Sequence, residues 1–238
     1  QAMAILYAAS PPTPPPPPTP TITLTPTRDL RPVQQILDNA RAALAAGDWS
    51  AVIDTLNSLR KEDPAFETAR VDGMLFISLR NRGLDRILKG GDLQGGSYDL
   101  ALAERFAPLD GEAERVRNLA RLFMYGNAFW EAYPEQAVYY FSQVAAAPPY
   151  LTDGSGWTAT ARYRAALIQY ADALARQELW CEAEEQYRLA ESYGGDGGLQ
   201  ATVQAITDLC SPPTETPTIT PTETLTPTPT STPTVPVW

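Results

Sequence analysis

The chain has 238 residues, a formal net charge of −10, a pI near 4.5 and no histidine. This acidity argues against nucleic acid and anionic membrane surfaces as partners, because both are gripped by clustered Lys and Arg. The missing histidine removes the commonest general base and the commonest zinc ligand.

Residues 2–9 (AMAILYAA) are apolar, with Ile5, Leu6 and Tyr7 at their centre, and are too short to span a bilayer. They read as a segment that docks into a partner or as the stub of a longer anchor, which would place a membrane tether upstream of Gln1. A chain opening on Gln1 rather than Met is expected to be processed, with a signal peptide removed. Five consecutive prolines at 14–18 predict a stiff polyproline II spacer. Residues 19–27 (TPTITLTPT) then place threonine at every second position, with Ile22 and Leu24 between threonines. Residues 1–28 are therefore read as an apolar leader followed by an extended Pro/Thr-rich arm.

Residues 29–210 carry the apolar spacing of helices. Asp29 and Pro32 supply the cap and first-turn residues of a helix over 32–46, whose Ile36, Ala40, Ala43 and Leu44 share a face. Gly47-Asp48-Trp49 interrupts it, and Val52, Ile53, Leu56 and Leu59 continue the pattern over 49–61. Asp63-Pro64 reads as the cap and first position of a helix over 65–82. The glycines from Gly83 to Gly96 read as an inserted loop with a short helix near 84–89. Further helices are expected over 97–107, 111–130, 134–146, 156–177, 179–193 and 198–209, the last covering the open end of the stack.

One phrase recurs along this region. Trp49, Tyr98, Tyr133 and Trp180 each stand at a turn, and Val52, Ala101, Ala137 and Ala183 follow three or four residues later. Such repetition predicts a solenoid of helical hairpins. The turn Gly47-Asp48-Trp49, with Val52, Ile53, Leu56, Leu59 and Asp63-Pro64, resembles the signature of the tetratricopeptide repeat family. The resemblance implies an all-α fold, αα-hairpins stacked as a TPR-like solenoid, over about three-quarters of the chain. Some members of that family grip a peptide carboxylate with Lys, Asn and Arg on the concave face. Asn39 and Arg41 fall near such positions, although the full set does not match.

No enzyme is expected. Residues 153–156 (DGSG) and 196–198 (DGG) lack the preceding strand and following Lys of a phosphate loop and the alternating acids of a calcium loop, and read as caps and turns. Glu182, Glu184, Glu185 and Glu191 read as a solvated face. Arg80, Arg82, Arg86, Lys89, Arg115, Arg117 and Arg121 read as partners of neighbouring glutamates. Most of Tyr125, Phe129, Trp130, Tyr133, Tyr139, Tyr140 and Phe141 are expected in the core, with any exposed part an intersubunit contact. No cofactor, metal or small-molecule substrate is implied.

Cys181 and Cys210 match no metal spacing. In an exported protein they are expected to form one disulfide that staples the terminal helix, the alternative being two free thiols. Beyond them, residues 211–238 repeat the chemistry of the first arm. Thr214, Thr216, Thr218, Thr220, Thr222, Thr224, Thr226, Thr228, Thr230, Thr232 and Thr234 alternate with Pro, Glu, Ile219, Leu225 and Ser. As an extended strand this tail has one hydroxyl face, and as polyproline II it is an all-round brush. No Asn-x-Ser/Thr acceptor occurs, so any sugar is O-linked, as Thr with Pro favours. The candidate acceptors are these threonines with Thr13, Thr19, Thr21, Thr23, Thr25 and Thr27.

These features predict a non-enzymatic, extracellular or cell-surface subunit of a filament or surface layer. It would be a homopolymer of copies of itself, carrying O-linked glycans and associating through Ile5, Leu6, Tyr7, Ile22, Leu24, Ile219 and Leu225. The alternative is a surface-tethered TPR-like module that binds a peptide or protein partner.

Overall fold

A computed structural model describes residues 29–194 and 197–211. Among these residues the fold is all-α. The helices run α1 (Arg31–Ala46), α2 (Trp49–Glu62), α3 (Thr68–Leu88), α4 (Leu93–Ala103), α5 (Gly111–Phe129), α6 (Pro134–Ala145), α7 (Ala159–Ala175), α8 (Trp180–Ser192) and α9 (Gln200–Cys210). The one β-type pairing described is an isolated bridge between Thr152 and Thr158. No described helix is long and apolar enough to cross a membrane.

Each helix packs on the next in sequence, and α3 also reaches α5. Consecutive packing follows from short connections and one apolar face per helix. The first turn is typical. Gly47, at φ +72°, ends α1 in the left-handed region that favours glycine, and its amide bonds back to the Ala43 and Leu44 carbonyls. Asp48 then caps α2 by accepting from the Ala51 amide at 3.0 Å. The Trp49 indole donates to Asp85 at 3.1 Å, tying this turn to α3.

Three apolar clusters form the core. Leu37, Val52, Leu56, Leu59 and Leu75 centre the first, between α1, α2 and α3. Phe123, Phe141, Val116, Ile87 and Leu167 belong to the second, and Tyr187, Val203 and Ile206 to the third, under α9. Leu109 packs against both the first and second clusters, and Ile168 against both the second and third. The core is thus continuous along the stack.

Three sequence expectations shift. Asp63-Pro64 does not start a helix. Asp63 ends α2, its carboxylate accepts from the Ala65 amide at 3.1 Å, and α3 begins at Thr68 after Glu67 at φ +41°. The supposed 83–96 loop is mostly helix. α3 runs on through Gly83 to Leu88, and α4 opens at Leu93 under an Asp92 cap. Gly83 and Gly96 lie where these helices touch. A Cβ on Gly96 would stand 2.5 Å from both the Gly83 carbonyl oxygen and Ile87 Cγ1, so backbone approach, not a turn, requires these glycines. Finally, Asp153 does not cap α7. Thr158 does, accepting from the Ala161 amide at 3.1 Å.

Candidate functional site

The aromatic crowd of α5 and α6 is divided between core and surface, with fewer rings fully inside than expected. Of the seven, Phe141 alone is fully buried. The inner face of this hairpin is already filled by Phe123, Ala137, Phe141 and Val144, with Gly126 between them. A Cβ on Gly126 would fall 2.6–2.7 Å from three atoms of the Phe141 ring, so Gly126 makes the slot that ring occupies. Phe129 and Trp130 pack partly buried against the edge of that cluster, Tyr140 is half-buried, and Tyr125, Tyr133 and Tyr139 stand outward.

They form a connected band. Phe129 and Tyr140 stack in parallel, with centroids 5.5 Å apart and planes 2° apart. Tyr125 lies 5.3 Å from Tyr140, Tyr133 lies 6.0 Å from Phe129, and Tyr139 lies 5.2 Å from Tyr140. Tyr133 and Tyr139 are 59% and 63% exposed. Among the described residues, the hydroxyls of Tyr125, Tyr133 and Tyr139 make no hydrogen bond. Phe141 and Trp130 meet edge-on beyond the band, and Arg162 lies over both Trp130 and Trp157, at 5.0 and 4.8 Å from the two rings.

Arg162 is held there by Asp153, in the loop that joins α6 to α7. The buried Asp153 carboxylate accepts five bonds: from the Ser155 amide and hydroxyl, the Trp157 amide, and two nitrogens of Arg162 at 3.0 and 2.8 Å. Burial pushes its pKa up, but the Ser155 hydroxyl, Arg162 and the Trp157 amide together hold it below the ordinary aspartate value. Every lone pair is engaged, so the DGSG turn is a structural knot rather than a ligand loop.

A second concavity, a cleft of about 540 Å³, lies over α3 between α2 and α4. Ile53, Leu79, Leu102 and Phe106 give it an apolar floor, and Asp54, Asn57, Arg60, Arg82 and Arg105 a polar rim. Arg60 pairs with Asp72, and Arg82 forks onto buried Asp99 with two 2.8 Å bonds. Two of the three rim guanidiniums are thereby neutralised within the fold. Asn39 and Arg41 are not brought to this cleft. On α1, Asn39 accepts from Gln35 and Arg41 pairs with Asp38.

The other charged runs are also locally satisfied. Arg80 forks onto Asp110 and reaches Glu112, which holds Asp110 far below the ordinary range. Arg86 shares Asp99, Lys89 pairs with Asp85, and Arg117 with Glu104. Arg115 reaches the Pro148 carbonyl and Arg121 the Asn118 side chain. Aspartates, more than glutamates, supply the partners. On α8, Glu184 accepts from Thr207 of α9 and from Arg188, which lower its pKa. Beside it, Cys181 and Cys210 are joined by a disulfide.

Among the described residues, no group of His, Cys, Asp and Glu has the arrangement of a metal site. The candidate glycosylation threonines of both arms lie outside the described residues. So do Ile5, Leu6, Tyr7, Ile22, Leu24, Ile219, Leu225 and the aspartate of the DGG turn, Asp196. The aromatic band was partly legible, as a crowd of rings too large for one hairpin. The cleft was not, because its residues come from α2, α3, α4 and the turn after α4.

No family model, curated protein or solved structure matches the chain.

Proposed function

We propose that this chain is a non-enzymatic structural subunit of an extracellular filament or surface assembly. Its helices form a TPR-like solenoid, copies associate through the helical body and the extended arms, and the arm threonines carry O-linked sugars. The observation that carries this reading is the band of Tyr125, Phe129, Tyr133, Tyr139 and Tyr140. Apolar ring area left in water favours burial against a partner surface. In the same sequence, two arms of matched Pro/Thr chemistry bracket the body. The satisfied charges of the DGSG turn and of the Arg-rich helices support a scaffold rather than a site of chemistry.

Imaging of native material tests the assembly and intact mass tests the sugars. Filaments or a lattice, with a mass above the 25.9 kDa of the sequence, are the expected results. Monomers throughout overturn the assembly, and an unmodified mass overturns the glycan assignment.

The cleft between α2 and α4 favours a second reading, a surface-tethered module that binds a peptide. Its Arg105 has no ionic partner among the described residues. Saturable peptide binding lost in Phe106→Ala, with no polymer in native material, favours this reading over the first.

A further inference from the structure

The aromatic band fits one segment of this sequence better than any other. We propose that it docks the proline run at residues 14–18 of a second copy of the chain. The inference rests on the assembly reading above and names the contact that would link one subunit to the next.

The geometry of the band sets the ligand chemistry. Tyr125 and Phe129 stand about one turn apart on α5, a step of about 6 Å, and Tyr133, past the end of α5 and at the start of α6, has its ring 6.0 Å from that of Phe129. The strip is therefore roughly 12 Å long, the span of about four residues of polyproline II at 3.1 Å each. Its centre is the half-buried Phe129–Tyr140 stack, anchored on the second core cluster through Phe129, and its rim is the exposed rings of Tyr133 and Tyr139. Proline-rich segments bind in this way to aromatic surfaces, their rings against ring faces. Polyproline II has no internal hydrogen bonds, so its carbonyls are open to donors. The tyrosine hydroxyls of the band, unbonded among the described residues, are donors of that kind. A proline run also loses little conformational entropy on docking.

The sequence holds the matching ligand. All but six of its 23 prolines lie outside the described residues. The C-terminal arm is the poorer ligand. It has threonine at every second position, each a candidate for a sugar that would stand between proline and ring, and it carries Glu215 and Glu223. Glu131 and Glu135 are exposed beside Tyr133 and would repel it. The run at 14–18 has neither threonine nor charge.

Two full-length variants test this. In one, the five prolines are replaced by serine. In the other, the exposed Tyr133 and Tyr139 are replaced, Tyr133→Ser and Tyr139→Ser, outside the core so that folding is kept. Sedimentation of each alone should give monomers where the unaltered chain gives polymers. An equal mixture should give heterodimers that grow no further, because it has one good run and one good band. A synthetic peptide of residues 10–20 should bind the proline variant saturably by intrinsic fluorescence, with at least a ten-fold loss when the two tyrosine changes are added. Peptide binding that is absent, or indifferent to the tyrosines, overturns the proposal. If polymers then persist in both variants, the assembly reading stands without it. A mixture that stays monomeric while the peptide binds places the run on its own copy and overturns the second-copy assignment. Peptide binding by a chain that never polymerises supports the contact and overturns the assembly reading.

Discussion

Gly96→Ala separates a packed helix contact from a loop. In a loop, one added methyl is neutral or mildly stabilising, because alanine restricts the unfolded chain. In the α3–α4 contact the new Cβ would stand 2.5 Å from the Gly83 carbonyl oxygen and from Ile87 Cγ1. Carbon atoms settle near 3.5–4.0 Å, so the helices must part by about 1 Å at a point where Ile87 and Leu100 are fully buried. Such overpacking costs about 1–3 kcal/mol. Helix propensity returns up to about 1 kcal/mol. With that gain taken in full, the expected net is a loss of up to about 2 kcal/mol. Gly73→Ala is the matched control. It lies exposed in the second turn of α3 with nothing within 4 Å of an added Cβ, and should gain about 0.5–1 kcal/mol. Urea unfolding followed by far-UV circular dichroism, with unchanged slope, measures both. Two shifts of the same sign refute the close-contact account.

Three further outcomes are expected. Arg82→Met removes two charge-assisted bonds to Asp99, whose side chain is 1% exposed, and leaves it Arg86 alone; unfolding should show a loss of about 2–3 kcal/mol, about half of it recovered by Arg82→Lys. Asp110, Asp153, Glu104 and Glu184 are all more acidic folded than unfolded, so their contribution is full above the unfolded carboxylate pKa and is lost as pH falls below about 4. Tyr187, chiefly through burial and then its bond to Asp172, is less acidic folded, and its contribution is lost above about pH 10. With no histidine, a melting-temperature profile should be flat between those limits, and a step near pH 6–7 would contradict this. Replacing Cys181 and Cys210 together by serine should cost about 3 kcal/mol, given their separation of 29 residues, with hydrogen exchange rising first in α9. Exchange that rises equally in α1 would refute the local reading.

How far the fold could be read from sequence depended on the range of each signal. The Gly47-Asp48-Trp49 turn was legible because its left-handed glycine and aspartate cap act within one turn of chain. The all-α class was legible for the same reason, repeated along the body. Gly83 and Gly96 misled because their cause lies thirteen residues away on a facing helix, while glycine in isolation signals a break. Asp63-Pro64 has the composition of a helix start, but Asp63 completes the end of α2 and spends its carboxylate on the turn. The outward aromatics show the same limit. Ring count was visible, but the single slot made by Gly126 for Phe141 was not, and that slot decides which ring is fully buried.

The bond between Cys181 and Cys210 has a mechanical consequence. The described body is a series of helices, each held by its neighbours, and the Pro/Thr-rich stretches of the sequence join it before Asp29 and after Ser211. Tension applied through those stretches would enter the C-terminal end at Ser211, one residue after Cys210, and cross the covalent bridge directly to the start of α8. The chain between residues 181 and 210 would be out of the load path, so α8 and α9 could not be peeled away. Force would be delivered instead to α7 at the end of the long second core, while α1, with no such shunt, would be the first helix to yield.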